Sequence, residues 1–476
     1  MKRAFSRKNL WENLPLSLKG PLGSLAGCIP LRLLLGRNYC RWDHLIAAAD
    51  HWSKDDIHRF QIEQLRVVCS LAYDKSPYYR DSFDRAGLRP SAIQKTEDIR
   101  VLPLIDKQVI NKHRDQLLTV DPEASGIDYV ATGGSGGEPM RFLIGKDRSA
   151  IEYAHLARAW MRVGYAHGIP KAVLRGQVLN GQGAGMHYSF DPLLRNHGYS
   201  NFHLDDDTMA RYLEHISAIG PCFLHTYPST LAILVRFMKR RGMAGPTNIR
   251  GLLLESENVY DADRTAAEEI FGVRYFSSYG HSEKLVMAAE CEHSSNYHVF
   301  PTYGYFELVD EAGDPVTEPG QEGEIVGTGF INRAMPFIRY RTGDYATYVA
   351  ESCSACGRQH TVIRNIRGHN TMERLIAKDG SSIPYSAVNV HDDTFEDVLQ
   401  FQYLQEVPGS ATLRLVPARS PLDTEKIVRR IGERLQGRVT LSAVLVNEIA
   451  LTPRGKSIFV DQRVDMDSLE FQERKP

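Results

Sequence analysis

The chain contains no hydrophobic run of the ~18–20 residues that a bilayer-spanning helix needs. The nearest approach, PLGSLAGCIPLRLLLG at residues 21–36, is interrupted by Pro30, Arg32 and several glycines. It starts too late for a secretory signal and lacks the small-residue cleavage pattern. It reads as a loop and a short packed helix, with LRLLLGR as the one element suited to touching a membrane surface. The expected location is therefore the cytoplasm, at most peripheral to the inner membrane, with no transmembrane segment. An excess of one charge is also missing: 57 Lys and Arg face 58 Asp and Glu. That balance argues against a dedicated nucleic-acid binder. Cysteine is scarce, seven in 476 residues, so the chain is no disulfide scaffold. The hydrophobic share of 42% and charged share of 24% exclude a disordered or collagenous chain. A chain this long builds a large core and, at roughly 150 residues per domain, about three domains or subdomains.

Residues 43–120 read as helical. In SKDDIHRFQIEQLRVVCSLAYDKSPYYRDSF the apolar positions Ile57, Phe60, Leu65, Val68 and Leu71 fall near a 3.6 period, and Ser53 with Asp55 and Asp56 marks a helix start. Residues 127–145 read strand, glycine loop, strand. Helix-like and strand-like segments then alternate to about residue 280, the signature of an α/β sheet with flanking helices. Residues 297–348 turn β-rich. Residues 398–448 form a β-β-α-β unit, with Asp423 as N-cap and Ile427, Val428, Ile431 and Leu435 on one helix face. A domain boundary is expected near residues 365–373, dividing the chain into 1–365 and 366–476.

Four segments carry chemistry. The loop Thr132, Gly133, Gly134, Ser135, Gly136, Gly137, followed by Glu138, presents successive N–H groups and two hydroxyls, an anion nest. It is neither a P-loop nor a dinucleotide fingerprint, because no Gly-Lys-Ser/Thr follows and a strand comes next. Ser277, Ser278, Tyr279, Gly280, His281, Ser282 and Glu283 offer an aromatic face, a tight turn and a carboxylate. In PFIRYRTGD, Asp344 after a turn suits two hydrogen bonds from a diol such as a ribose. In LTPRGK, Lys456 stands on a turn near the C-terminus. Each segment alone also reads as an ordinary turn or strand end.

In this order, from residue 132 to residue 456, the four segments resemble the adenylate-forming ligases, in particular the phenylacetate–CoA ligase family and its capsule-polysaccharide-biosynthesis branch. AYDKSPYYRDSFDRAGLRPSAIQKTEDIRVLPLIDK is similar to that family's opening pattern. The resemblance implies an α/β, adenylate-forming (ANL-type) fold: a large N-terminal α/β domain with a β-rich lobe, and a small mobile α+β C-terminal domain. It implies ATP-dependent activation of a small carboxylic acid as an acyl-adenylate. Transfer to coenzyme A, or to an amine or hydroxyl acceptor, follows, in surface-polysaccharide or secondary metabolism. By residue it implies that Thr132–Gly137 grip the ATP phosphates. Glu255, Ser256 and Glu257 form the adenine-side segment. Ser278, Tyr279 and Gly280 lie along adenine, Glu283 helps hold Mg²⁺, and Asp344 binds the ribose. Lys456 serves adenylation. His225, Tyr227 and His281 fall in the acyl pocket. A homodimer is compatible with the sequence.

Two departures stand out. The family's Gly-Arg before the hinge reads Gly368-His369, leaving Arg364 or Arg367 as substitutes, and Glu138 stands where a lysine is usual. These departures keep open an alternative, a non-catalytic nucleotide-binding scaffold of the same fold, against which Lys456 argues.

Cys291-x₆-His298 and Cys353-x₂-Cys356 make a Cys₃His set, common for structural Zn²⁺. His293 and His360 are competing ligands, and reduced structural cysteines are the plain alternative. Some members of the resembled family carry zinc here. Four protein ligands would close the site, which argues against a zinc hydrolase.

Overall fold

The computed structural model describes residues 31–131, 140–175, 187–192, 194–368, 374–388, 393–395, 397–452 and 457–464. The N-terminal region is helical: α1 (Leu31–Ala49), α2 (Lys54–Lys75), α3 (Pro77–Ala86) and α4 (Lys107–His113). Ser53 caps α2 through a reciprocal capping box with Asp56, which is why that helix starts where the acidic pair predicts. An antiparallel hairpin of β1 (Ile127–Ala131) and β2 (Arg141–Gly145) follows, then α5 (Arg148–Met161).

The centre is a 12-stranded sheet. Its strands are β3 (Lys171–Leu174), β4 (Tyr188–Asp191), β5 (Asn196–Tyr199), β6 (Cys222–Thr226), β7 (Ile249–Glu255), β8 (Tyr275–Gly280), β9 (Met287–Glu290), β10 (Tyr297–Val299), β11 (Gly304–Val309), β12 (Glu322–Gly329), β13 (Tyr340–Ala350) and β14 (Val362–Arg367). Their order is β11-β12-β13-β14-β10-β9-β8-β7-β6-β3-β5-β4. The run from β8 through β7, β6 and β3 to β5 is parallel. The connecting helices are α6 (Asp206–Ala218), α7 (Pro228–Arg241) and α8 (Asp261–Phe271).

The period-2 alternation of side chains divides two cores between the faces of the parallel strands. Cys222 and Leu224, Leu252 and Leu254, and Tyr275 pack with α6, α7 and α8. Phe223, Leu253 and Phe276 point the other way and pack with α1 and α5. His225, Glu255 and Ser278 lie two residues beyond these three, so they share the α5 face at the carboxyl ends of their strands. In open α/β sheets that end is where ligands bind.

The antiparallel half of the sheet packs on α2 and α3. Ile105 bridges to Tyr340, with Ile105 N–H donating to the Arg339 carbonyl at 3.0 Å and Arg341 N–H donating to Ile105 at 2.8 Å. The Arg339 guanidinium is buried and donates to both oxygens of Glu307 at 3.2 Å. It also reaches the carbonyls of Arg100 at 2.6 Å and Leu102 at 2.8 Å. This one side chain joins the helical N-terminal region to the strand that carries Asp344.

Beyond β14 come a two-stranded piece, β15 (Arg374–Ile376) and β16 (Ser382–Pro384), the short α9 (Tyr385–Val388), and a separate smaller sheet. That sheet orders β19 (Thr440–Leu445), β18 (Ser410–Pro417), β17 (Val398–Val407) and β20 (Val460–Gln462), with α10 (Thr424–Leu435) burying Ile427, Ile431 and Leu435. The Asp423 side chain accepts from the Lys426 N–H at 2.9 Å, the expected cap. Strand β20 was not expected; three residues are too short for an alternating pattern to register. Among the described residues no helix is long and apolar enough to cross a membrane.

Breaking one partner of a buried ion pair leaves the other charge unpaired and costs ~3–5 kcal/mol. Arg339→Met should therefore lower the unfolding free energy by about 3 kcal/mol or more in urea titrations. A loss below about 1 kcal/mol would contradict the role given to this pair.

Candidate active site

The carboxyl ends of β6, β7 and β8, with the residue that follows β3, converge on one cluster. Arg175, just past β3, pairs with Glu255 at the end of β7. His225 of β6 lies 2.8 Å from the same Glu255 oxygen. The Arg175 guanidinium also donates to the Ser256 hydroxyl at 3.2 Å and stands 4.9 Å over the Tyr227 ring. Burial opposes ionisation of Glu255, but Arg175 and His225 outweigh it and hold the carboxyl at about 2. Burial and the Arg175 charge push His225 down to about 4. The cluster thus holds a carboxylate, a guanidinium and a neutral imidazole at neutral pH. Trp160 of α5 packs edge-on against His225 at 5.0 Å.

Ser256 adopts a left-handed conformation, φ 74°, uncommon outside glycine. It turns the chain so that Glu257 faces α7. There the Glu257 carboxylate accepts from Ser229 N–H at 2.9 Å and Ser229 Oγ at 3.0 Å. Both bonds lie in the first turn of α7, where an anion complements the helix dipole. Asn258, next in sequence, accepts from the Gly368 N–H at 2.9 Å.

A second cluster forms around Asp344. Opposite Glu324 and Val326, the register of β13 jumps from Tyr345 to Arg341. The extra residues make a bulge, which re-aims side chains. Gly343 takes φ 72° there. Glu324 pins the bulge, accepting from Gly343 N–H at 3.0 Å and Arg341 Nε at 2.7 Å. Thr342 Oγ1 accepts from Asp344 N–H at 3.0 Å. The Tyr279 hydroxyl donates to Asp344 Oδ2 at 2.7 Å. A Cβ on Gly368 would lie 3.5 Å from Asp344 Oδ1 and 3.6 Å from Asn258 Oδ1. Tyr279, Asp344, Gly368 and Asn258 therefore meet at one point. Burial first, then Asp344 and Glu283, drives the Tyr279 phenol well above its usual range. Ser278 is buried and donates to the Leu254 carbonyl at 3.5 Å. Gly280 closes β8.

The remaining expected residues divide as follows. Thr132, Gly133, Gly134, Ser135, Gly136, Gly137 and Glu138 lie outside the described residues, as do His369 and Lys456. Leu451 and Ser457, close on either side of Lys456, line a cavity with Arg236, Tyr385 and Phe401. Arg367 pairs with Glu322. His281 follows β8 directly, its ring 5.8 Å from that of Tyr279. Sequence reasoning missed Arg175, Asn258 and the Lys284–Glu152 pair. A charged residue directly after the buried strand KAVL was the available signal for Arg175.

The ligand atoms of Cys291, His298, Cys353 and Cys356 all lie within 4.8 Å of one another. Cys291 Sγ is 3.9 Å from Cys353 Sγ, and Cys356 Sγ is 3.8 Å from His298 Nε2. A tetrahedron with Zn–S bonds of about 2.3 Å separates its sulfurs by about 3.8 Å, so the donor set fits zinc. His360 is not in the set: its Nε2 lies 3.0 Å from the Ala49 carbonyl. His293 contributes its backbone N–H, 3.4 Å from Cys291 Sγ. Arg358 brackets the cluster, donating to both Glu292 oxygens at 2.7 Å and to Asp50 at 2.9 Å.

This fold is that of the adenylate-forming ligases. The chain superposes on a crystal structure of 2-hydroxyisobutyryl-CoA ligase in the postadenylation state with R3-HIB-AMP, TM-score 0.64, 19% identical, covering 90% of this chain and 93% of that one. It superposes on the same ligase with 2-HIB-AMP and CoA in the thioesterification state, TM-score 0.55, 19% identical, covering 90% and 94%. In sequence, the chain is a homologue of the phenylacetate-coenzyme A ligases. It is 26% identical to that of Thermus thermophilus over 351 residues, 73% of this chain and 76% of the relative. It is 25% identical to that of Aromatoleum evansii over 407 residues, 82% and 90%. It is 20% identical to the CapK protein of Staphylococcus aureus over 411 residues, 85% and 89%. No protein-family model matches the chain.

Proposed function

We propose that this chain is an AMP-forming carboxylate ligase that activates a small carboxylic acid with ATP and passes the acyl group to the thiol of coenzyme A. The observation that carries this reading is the Tyr279–Asp344 pair, which joins the carboxyl end of β8, the last strand of the parallel run, to the pinned bulge of β13. Homology to phenylacetate-coenzyme A ligases over most of the chain supports it.

A carboxylate oxygen attacks the α-phosphorus, the bond to pyrophosphate breaks, and an acyl-adenylate remains. The thiol sulfur then attacks the acyl carbonyl and AMP leaves. Charge grows on phosphate oxygens in the first step, so positioned donors and cations lower its barrier. Asp344, held by the Tyr279 hydroxyl, binds the ribose. The loop Thr132–Gly137 supplies backbone donors to the phosphates, and Lys456 supplies a cation to the reacting carboxylate and α-phosphate. Glu283 is the carboxylate suited to Mg²⁺, which when bound would neutralise phosphate charge. Glu255, through Arg175 and His225, and Glu257, through α7, shape the adenine side. Residues 366–476 act as the unit that brings Lys456 in, with Gly368 at its base.

In the same reading Cys291, His298, Cys353 and Cys356 hold a structural Zn²⁺ that ties β9, β10 and the loop before β14 together. Protein purified without chelator should hold about one zinc per chain, as a single four-ligand site requires. Cys356→Ser should lose the metal and lower the melting temperature. A metal-free protein of unchanged stability would overturn the zinc assignment.

Removing one electrostatic group of this kind costs about 10²–10³-fold in rate. Lys456→Ala should reduce acid-dependent pyrophosphate exchange by that factor while leaving AMP affinity intact. Transfer to coenzyme A from a supplied acyl-adenylate should survive. Wild-type exchange in the variant would remove Lys456 from the chemistry.

A further inference from the structure

A cavity of about 180 Å³ opens between α2, the segment that follows α3, β11, the far end of β13 and residues 359–361. Tyr348, which lines it, stands four residues along β13 from Asp344, about 13 Å at the rise of a strand. The cavity is therefore apart from the candidate active site. Two groups in its lining lack partners. Arg100 makes no side-chain hydrogen bond among the described residues: its Nε is buried and unpartnered, and the Glu307 oxygen 3.7 Å away is too far for one. Both Glu307 oxygens already accept from Arg339. His360 is 1% exposed. Its Nε2 is spent on the Ala49 carbonyl at 3.0 Å, and its Nδ1 has no partner among the described residues. Lys54 and Glu351, also in the lining, are paired with each other, so their charges cancel. Ile57, Val299, Leu308 and Val316 supply an apolar wall.

Buried polar atoms are nearly always satisfied, so two orphans in one cavity point to an absent partner. A half-buried guanidinium with no carboxylate bonded to it suits a carboxylate or phosphate, whose oxygens match its planar fork. A hydroxyl is both donor and acceptor, so it satisfies the His360 nitrogen in either protonation state of the ring. A cavity of about 150 Å³ holds benzene, so this one has room for roughly three or four carbons with a charged head. We propose that the cavity is a second binding site, for a small hydroxylated anion whose carboxylate or phosphate meets Arg100 and whose hydroxyl meets His360 Nδ1. The site is independent of the ligase reading.

Calorimetry on the full chain compares glycerate and glycerol 3-phosphate with glycerol, which lacks the charge, and with acetate and inorganic phosphate, which lack the alcohol. At least one of the two hydroxylated anions should bind about tenfold or more tighter than every control, the worth of a hydrogen bond to a charged group. Which of the two binds tells a carboxylate ligand from a phosphate. Arg100→Gln should weaken that binding about tenfold or more. Arg100→Lys keeps the charge but not the fork, so it should melt like the wild type and bind at least about threefold more weakly. His360→Gln keeps an N–H for the Ala49 carbonyl and has no atom at Nδ1, and should bind about fivefold more weakly. His360→Asn, which returns a polar atom near that position, should recover part of the loss. Saturating AMP should leave the affinity unchanged. Binding of neither hydroxylated anion, controls that bind as tightly, or wild-type affinity in Arg100→Gln or His360→Gln would overturn the proposal, leaving the cavity to water or an adventitious ion only. Displacement by AMP would do the same by moving the site to the nucleotide. Should His360→Gln fail to fold, Arg100→Lys decides alone, and wild-type affinity in it overturns the proposal.

Discussion

The buried Arg339 guanidinium is the constraint on which the candidate site depends. It occupies Glu307 of β11 and two carbonyls of the segment that follows α3. Arg339 itself sits at φ 52°, a conformation that costs a non-glycine residue unless its surroundings fix it. Those surroundings do so: its N–H donates to Thr328 Oγ1 at 2.9 Å, and its carbonyl accepts from Ile105. With the start of β13 fixed in this way, the bulge at 342–344 has one register, and Asp344 one direction. Tyr279, arriving from β8 on the far side of the sheet's centre, then completes the contact. A solvent-exposed strand start would leave that geometry to side-chain chance.

The second organising feature is the alternation along β6, β7 and β8. It sends apolar residues into two cores and, two residues later, delivers His225, Glu255 and Ser278 to one face. The candidate site lies where the alternation runs off the end of each strand. The Arg175–Glu255 pair there is part-buried, and its cost in desolvation is offset by His225 and by the Ser256 hydroxyl. Such an arrangement favours a fixed charge pattern over maximal stability, as expected of a surface that must meet a polar ligand.

Much of this was legible in the chain. The helix start at Ser53, the capped α10 and the hairpin around the glycine loop all rest on local signals, and the structure has them. The paired spacing of Cys291, His298, Cys353 and Cys356 indicated convergence, and their ligand atoms do converge. What remained hidden depends on partners distant in sequence. Arg339 appeared only as a letter in PFIRYRTGD, because Glu307 is 32 residues away. Arg175 meets His225 and Glu255 across 50 and 80 residues, and no periodicity encodes such a meeting. Glu257, in the segment expected on the adenine side, makes two hydrogen bonds to the first turn of α7. That choice is made by the φ of Ser256, which its side chain does not announce.

The proposed chemistry turns on one event, formation of an acyl-adenylate at the Tyr279–Asp344 end of the sheet. The most direct test is acid-dependent exchange of labelled pyrophosphate into ATP, run without coenzyme A across a panel of carboxylic acids. Exchange should require an acid and Mg²⁺, with AMP and the acyl-adenylate detectable by mass spectrometry. Protein that binds AMP but supports no exchange with any acid would contradict it, and would mark the chain as a nucleotide-binding scaffold of the same fold.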